Sequence, residues 1–422
     1  MATRFYPVTD TAVAAASSWR HKGGRHLIPS NNLAGTSTYW APRRLNQQSS
    51  PTGTWTLQAE QSSTVAGPTS GIEVGGVEWV SDPVSADVTI SGAITFNLWS
   101  LESSMNANVA INAIVEKIDG TTLARTTIVQ TARTTELGTT IAAANFTATP
   151  GSSVVVHKGD RIRVRIYGDD AGTMGSGFTF TVDTNGPTAA ADGDTYIEFT
   201  ETFSVTTADP TGTQMFLTDT AGPDVGANLE KEMWTSRGSG STEATMTSTA
   251  GPVSPTQWTS GGTAIEWFSR RLNAFTLAGV VLVQLRGYCT TTVRATFYAE
   301  LHVINNDGTG ATVYGVSFAA CNASANSFEF TNSDAAAAVW QMLILGPSIS
   351  VTDGQRLRLR VFYDDANAQV VTGQTLRFSY NGTSADNPGD SWITLTESVT
   401  EFVPTTLVLE QGYVDFADPA VY

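Results

Sequence analysis

The sequence predicts an all-β fold: two tandem jelly-roll-like β-sandwich domains that arose by internal duplication, plus a C-terminal extended arm. Three observations predict it. Runs rich in Val, Ile, Thr and aromatic residues alternate with period two along most of the chain, the pattern of strands with one buried face. Gly, Asn and Asp clusters interrupt those runs, among them Asn185-Gly186 and Asn381-Gly382, a dipeptide suited to tight hairpin turns. Landmarks also recur in the same order in the two halves of the 422 residues, a length that accommodates two sandwiches.

The repeat is clearest where Gly159-Asp160-Arg161-Ile162-Arg163-Val164-Arg165-Ile166-Tyr167 stands against Gly354-Gln355-Arg356-Leu357-Arg358-Leu359-Arg360-Val361-Phe362. Asn185-Gly186 answers Asn381-Gly382, Glu78-Trp79 answers Glu266-Trp267, and Thr9-Asp10-Thr11-Ala12 answers Thr218-Asp219-Thr220-Ala221. The spacing between landmarks drifts, and the drift locates an insertion in the first copy around Ser18–His26. The expected organisation is residues 1–205 as copy one, carrying a basic insertion at about 15–50, then a linker at 206–213 containing Pro210. Copy two follows at 214–399 and the arm at 400–422. Two Ala-rich pieces, Ala12–Ser17 and Ala335–Val339, are expected as single helical turns.

Composition narrows the function. Charged residues make up 15% of the chain, against roughly 25% in an ordinary soluble domain, and small hydroxylated residues replace them on a surface suited to contact with other subunits. A net charge of −16 excludes nucleic acid as the main partner, because phosphate binding needs clustered cations. The two ends are polarised. Residues 1–50 hold Arg4, Arg20, Lys22, Arg25, Arg43 and Arg44 against Asp10 alone, whereas residues 397–422 hold Glu397, Glu401, Glu410, Asp415 and Asp418 and no Lys or Arg. Arg20, Lys22, Arg25, Arg43 and Arg44 at one end, and Leu407, Leu409, Tyr413, Phe416 and Tyr422 at the other, are the expected interface residues. The arm keeps large apolar side chains, as a strand added to a sheet edge would, in the same subunit or another. No apolar run is long enough for a membrane helix, and Met1–Pro7 lacks the apolar core of a secretory signal.

Candidate chemistry is sparse. The four histidines, His21, His26, His157 and His302, show no zinc-ligand spacing, and no nucleophile elbow or phosphate-binding loop occurs, so no enzymatic activity is expected. Cys289 and Cys321 read as two buried small hydrophobes, with a single disulfide between them as the alternative. Asp169-Asp170 and Asp364-Asp365 each follow a strand; the expectation is a turn capped by its own Asp, with Ca²⁺ as the alternative ligand. Period two places Arg161, Arg163 and Arg165 on one sheet face, as it does Arg356, Arg358 and Arg360. Cross-strand pairing with acids such as Glu198 or Glu201 is expected, with a subunit interface as the alternative. Trp79 and Trp267, matched between copies, read as core. Trp19, Trp40, Trp55, Trp99, Trp234, Trp258 and Trp340 leave open a platform for sugar rings.

Three segments resemble a family. Thr3-Arg4-Phe5-Tyr6-Pro7, Glu78-Trp79-Val80-Ser81-Asp82-Pro83-Val84 and Gly159-Asp160-Arg161-Ile162 resemble segments of tailed-bacteriophage virion structural proteins of the minor-tail type, apart from Pro7 following Tyr6 directly and the basic insertion. The resemblance implies a part of the particle, tail-associated or head-decorating, whose partners are other virion proteins and copies of itself. A host-surface adhesin that binds envelope carbohydrate is the alternative.

Overall fold

The computed structural model describes residues 2–7, 43–46, 55–60, 77–170, 179–184, 195–206, 210–225, 229–235, 242–247, 256–257, 259–260, 263–289, 293–294, 296–320, 329–330, 338–364, 375–380 and 391–402. Among these residues every regular element is a strand, so the chain is all-β.

The first half supplies β1 (Thr3–Pro7), β2 (Arg43–Asn46), β3 (Trp55–Glu60), β4 (Val77–Ser81), β5 (Val88–Ile90), β6 (Ile94–Glu102) and β7 (Val109–Ile118). It continues with β8 (Arg125–Gln130), β9 (Ala142–Ala148), β10 (Val154–Val156), β11 (Arg161–Asp170), β12 (Thr179–Thr184) and β13 (Tyr196–Phe199). The second half opens with β14 (Gln214–Ala221), β15 (Leu229–Trp234), β16 (Thr242–Thr247), β17 (Thr256–Gln257), β18 (Thr259–Ser260) and β19 (Thr263–Ser269). Then come β20 (Phe275–Leu277), β21 (Val281–Cys289), β22 (Val293–Arg294), β23 (Thr296–Ile304), β24 (Thr312–Ala320) and β25 (Glu329–Phe330). The last are β26 (Ala338–Ile344), β27 (Ile349–Val351), β28 (Arg356–Asp364), β29 (Thr375–Tyr380) and β30 (Trp392–Leu395). Residues 338 and 339, expected at the end of a helical turn, thus belong to β26. Pairing with β21 along its whole length, Gly287↔Ala338 to Val281↔Ile344, overrides the local preference of alanine.

Strand order repeats. The first half runs β3-β12-β6-β13-β1-β2-β4-β11-β7-β8, with β9 on β6; the second runs β16-β29-β21-β30-β14-β15-β19-β28-β23-β24, with β26 on β21. Position for position the two orders correspond, down to the parallel pairs β2–β4 and β15–β19 and the small sheets β5–β10 and β20–β27. Each long sheet turns back on itself and closes over one core, giving sandwich packing. In the first half Phe96, Phe180 and Ile197 from one end meet Ile111, Val115 and Val164 from the other. In the second half Val283, Phe378 and Ile393 meet Leu301, Leu359 and Trp267. Alternation explains the inward set: β6 reads buried at every second residue from Ile94 to Glu102.

Hydrogen bonds repeat as well. The Ser81 hydroxyl donates to the Asp82 carbonyl and accepts from the Ile162 amide, and Ser269 does the same with Arg270 and Leu357. Glu201 accepts the amides of Ser91 and Gly92, while Glu397 accepts those of Ala278 and Gly279. Gly159 and Gly354 turn into β11 and β28 at φ of +96° and +86°, values that favour glycine.

Candidate functional site

The two arginine stripes lie where period two put them, but each has a different setting. Arg163 is wholly buried and pairs with Glu116, its cross-strand neighbour on β7. In the second half Arg360 donates to Glu266 at 2.9 Å and to Glu300 at 3.1 Å, and Arg358 lies 3.7 Å from Glu266. His302 sits between Arg358 (3.1 Å) and Glu300 (3.3 Å), and accepting from the guanidinium at Nδ1 leaves Nε2–H to donate to the carboxylate. Burial alone would raise the Glu300 pKa. The His302 hydrogen bond, together with the charge and the hydrogen bond of Arg360, outweighs that and holds it below the ordinary value. Cross-strand pairing is therefore the role of these charges, but not with the expected partners. Glu198 lies on β13 and binds Arg4 at 2.6 Å, while Glu201 caps the turn at Ser91-Gly92. β11 has β4 and β7 as neighbours, so β13 acids are out of reach.

Arg161 does something the stripe pattern does not reveal. Its guanidinium donates to the Ser81 carbonyl at 2.9 Å within its own half, as Arg356 does to Ser269. It also reaches into the second half, to the Leu343 carbonyl at 2.6 Å and the Ser317 hydroxyl at 3.0 Å. Lys158 Nζ donates to the Ala278 carbonyl, and the Val316 amide donates to the Gly120 carbonyl at 2.8 Å. Beside them Val80, Ile118 and Val316 form a buried apolar cluster, flanked by Leu123, Val313 and Phe362. Gly159 stands so close that a Cβ there would lie 2.1 Å from the Leu345 carbonyl oxygen. The halves are joined by backbone and buried polar contacts, not merely by the linker.

The other expected site residues divide in two. Asp169 and Asp170 do not follow β11 but belong to it, in register with Ala110 and Val109 of β7, and Asp364 likewise ends β28 opposite Thr296. The long partner strands carry the ladder past Gly168, overriding the turn preference of Asp. Among the described residues no group of three or more His, Cys, Asp or Glu is gathered for a metal ion. Arg43 and Arg44, assigned to the basic insertion, lie in β2, in parallel register with Trp79 and Val80. Arg20, Lys22, Arg25, Asp365, Cys321, Leu407, Leu409, Tyr413, Phe416 and Tyr422 lie outside the described residues. Trp267 is fully buried, donating from Nε1 to the Thr218 carbonyl at 3.1 Å. Half-buried Trp234 carries the Arg270 guanidinium 5.1 Å above its ring, and half-buried Trp392 packs on Leu282 and Leu343. No helix of the described residues is long and apolar enough to cross a membrane.

No protein-family model and no curated protein matches the chain. Likenesses to solved structures are loose. A CocE/NonD family hydrolase from Staphylococcus aureus is 9% identical over 46% of this chain, with a TM-score of 0.29. This chain spans 36–38% of the length of that hydrolase and of an α-amino acid ester hydrolase. The tandem CBM22-1–CBM22-2 region of Paenibacillus barcinonensis Xyn10C is 10% identical over 91% of this chain and 100% of that one, with a TM-score of 0.16. A structure of infectious bursal disease virus, Gx strain, is 11% identical over 82% of this chain and 77% of that one, with a TM-score of 0.15. With superpositions this loose, none of them carries an activity over to this chain.

Proposed function

We propose that this protein is a structural component of a bacteriophage particle, tail-associated or head-decorating, and that it acts through protein–protein contacts. One observation carries the reading. The segments that resemble virion proteins converge on a single structural device: Ser81 binds the Ile162 amide through its hydroxyl and the Arg161 guanidinium through its carbonyl at the start of β11, and the Asp160 carboxylate binds the Gly120 amide. Thr3, in the first of those segments, exchanges hydrogen bonds with Phe203, closing the same half. Residues spent on holding strands together suit a building block. The polarised ends of the sequence suit one that joins others.

Locating the protein in particles tests the reading. Antibody labelling or density in an electron-microscopy map of purified virions should find it as a stoichiometric part. Its absence from virions, together with strong binding to host-envelope glycans on an array, would replace the reading with that of an adhesin.

A further inference from the structure

The duplication leaves one strand edge covered in one copy and open in the other. In the second half β26 has β21 as its ladder partner, and β24 closes in on it as well. A Cβ at Gly315 of β24 would lie 2.8 Å from the Ile344 Cγ2 of β26, and buried Tyr314 beside it donates to the Gly279 carbonyl. β9, the counterpart of β26, pairs with β6 from Ile94↔Ala148 to Ser100↔Ala142, and among the described residues no other strand pairs with it. Every second residue of such a strand turns its amide and carbonyl away from the sheet. Ala142, Asn145 and Thr147 are exposed. The core side is closed: Phe146 stacks on buried Phe96 with centroids 4.9 Å apart, and the Arg133 guanidinium lies 4.3 Å over the Phe146 ring. What stands open is a backbone edge rather than a gap in the core.

Exposed edges are ordinarily guarded by charge, proline or a bulge. Residues 137–156, which include β9, hold no Lys, Arg, His, Asp or Glu in a chain that is 15% charged, and Pro150 falls beyond the strand. By contrast β8, at the end of the same sheet, opens on Arg125, 3.8 Å from Glu116. β26 is uncharged too, and there β24 supplies the cover. The same kind of strand is covered from within in copy two and left for cover from without in copy one. The residues of β9 suit pairing with themselves. In an antiparallel pair about a two-fold axis through Asn145, Ala144 faces Phe146, Ala143 faces Thr147 and Ala142 faces Ala148 of the other copy. Both rings thus oppose a methyl group on the core face, where Ala144, Phe146 and Ala148 already pack, and the two Asn145 amides meet on the outer face. No like charges meet within the strand pair. A two-fold contact also uses both open edges at once, so it closes at a dimer.

We propose that β9 docks a second copy of this chain, the two β9 strands pairing antiparallel about a two-fold axis at Asn145. The inference does not rest on the virion reading: self-association is measured on the purified chain, and presence in particles is measured separately. Sedimentation of the full-length chain over a concentration series should show a monomer–dimer equilibrium. Asn145→Lys and Asn145→Asp, at an exposed position, set like charges against each other across the axis and should each raise the dimer dissociation constant at least about tenfold. Their melting temperatures as monomers should match that of the wild-type monomer. Mixing the two variants sets Lys against Asp and should restore the dimer, as a mixed pair identified by native mass spectrometry; that rescue also shows both variants to be folded. A wild type that stays monomeric at every concentration, or a dimer that both variants leave intact, would overturn the proposal. Dimers lost in both folded variants and not regained on mixing would overturn the pairing of β9 with itself and give its edge to a different strand of the second copy.

Discussion

Gly159→Ala and Gly354→Ala would put the same methyl group on equivalent turns, at φ of +96° and +86°. The backbone cost of a non-glycine residue in that region, about 1–2 kcal/mol, is common to both. What surrounds the new methyl is not. Nothing lies within 4 Å of a Cβ at Gly354, whereas at Gly159 the Leu345 carbonyl oxygen would lie at 2.1 Å and its carbon at 3.0 Å. Contact at 2.1 Å is more than 1 Å too short, and the obstacle is backbone, held by the Arg161 bond to Leu343 two residues earlier. Relief requires the halves to move apart. That loosens the Arg161 bonds to Leu343 and Ser317 and the packing of Val80, Ile118 and Val316.

Charged hydrogen bonds contribute about 1.5–3 kcal/mol each, and overpacking costs about 1–3 kcal/mol. Gly159→Ala should therefore destabilise by about 2–4 kcal/mol more than Gly354→Ala. At about 2–4 °C per kcal/mol for a unit of this size, Gly354→Ala should lower the melting temperature by about 4 °C and Gly159→Ala by roughly 10 °C or more. Calorimetry on the full chain checks both, and Gly159→Ala should also split a joint transition into two as the halves uncouple. Equal losses for the two variants would refute the docked arrangement of the halves, because the turns themselves are alike.

Arg161→Leu should cost about 3 kcal/mol by chemical denaturation, since it strands the buried carbonyls of Ser81 and Leu343. Arg356→Leu, whose partners Ser269 and Asn306 lie within its own half, should cost nearer 1 kcal/mol. Glu300 is held below its ordinary pKa of 4.5, so its ionisation stabilises the fold above that pH, and the gain is lost as pH falls towards the lower folded value. In melts against pH, Glu300→Gln should lose about 1 kcal/mol at neutral pH and show a shallower fall than the wild type below pH 4.5. An equally steep acid limb in both would assign the acid sensitivity to other carboxylates.

Class and duplication were legible in the sequence because both rest on local pattern: period two for the strands, and ordered landmarks such as Gly159–Ile166 for the repeat. Partners were not, because they depend on strand order. Arg163 meets Glu116, 47 residues earlier in the chain, only because β7 and β4 flank β11, an order that no local pattern encodes. The place of Asp169 and Asp170 within β11 has a related cause: a turn signal is local, but the ten-residue ladder with β7 that holds them is not.

The docking of the halves did leave a trace, in a place that a search for shared residues passes over. β26 pairs with β21 as β9 pairs with β6, setting Leu282↔Leu343 against Thr95↔Thr147. Ile344 and Val281 of the second half point into its core, whereas Leu282, Leu343 and Leu345 form a separate buried cluster on the other face with Val280. Their counterparts Thr147 and Thr149 are exposed. Apolar residues on both faces of one copy, against threonine on the outer face of its sister, mark a surface that only one copy has to bury. The Leu345 carbonyl, where Gly159 packs, lies at the end of that surface. In a duplicated chain the core is found from what the copies share, and the contacts between them from where an outward position has turned apolar in one copy alone. Phe203 and Val399 run the other way: where the first copy has a ring the second has a smaller side chain, and a cavity rather than a contact lies beside it.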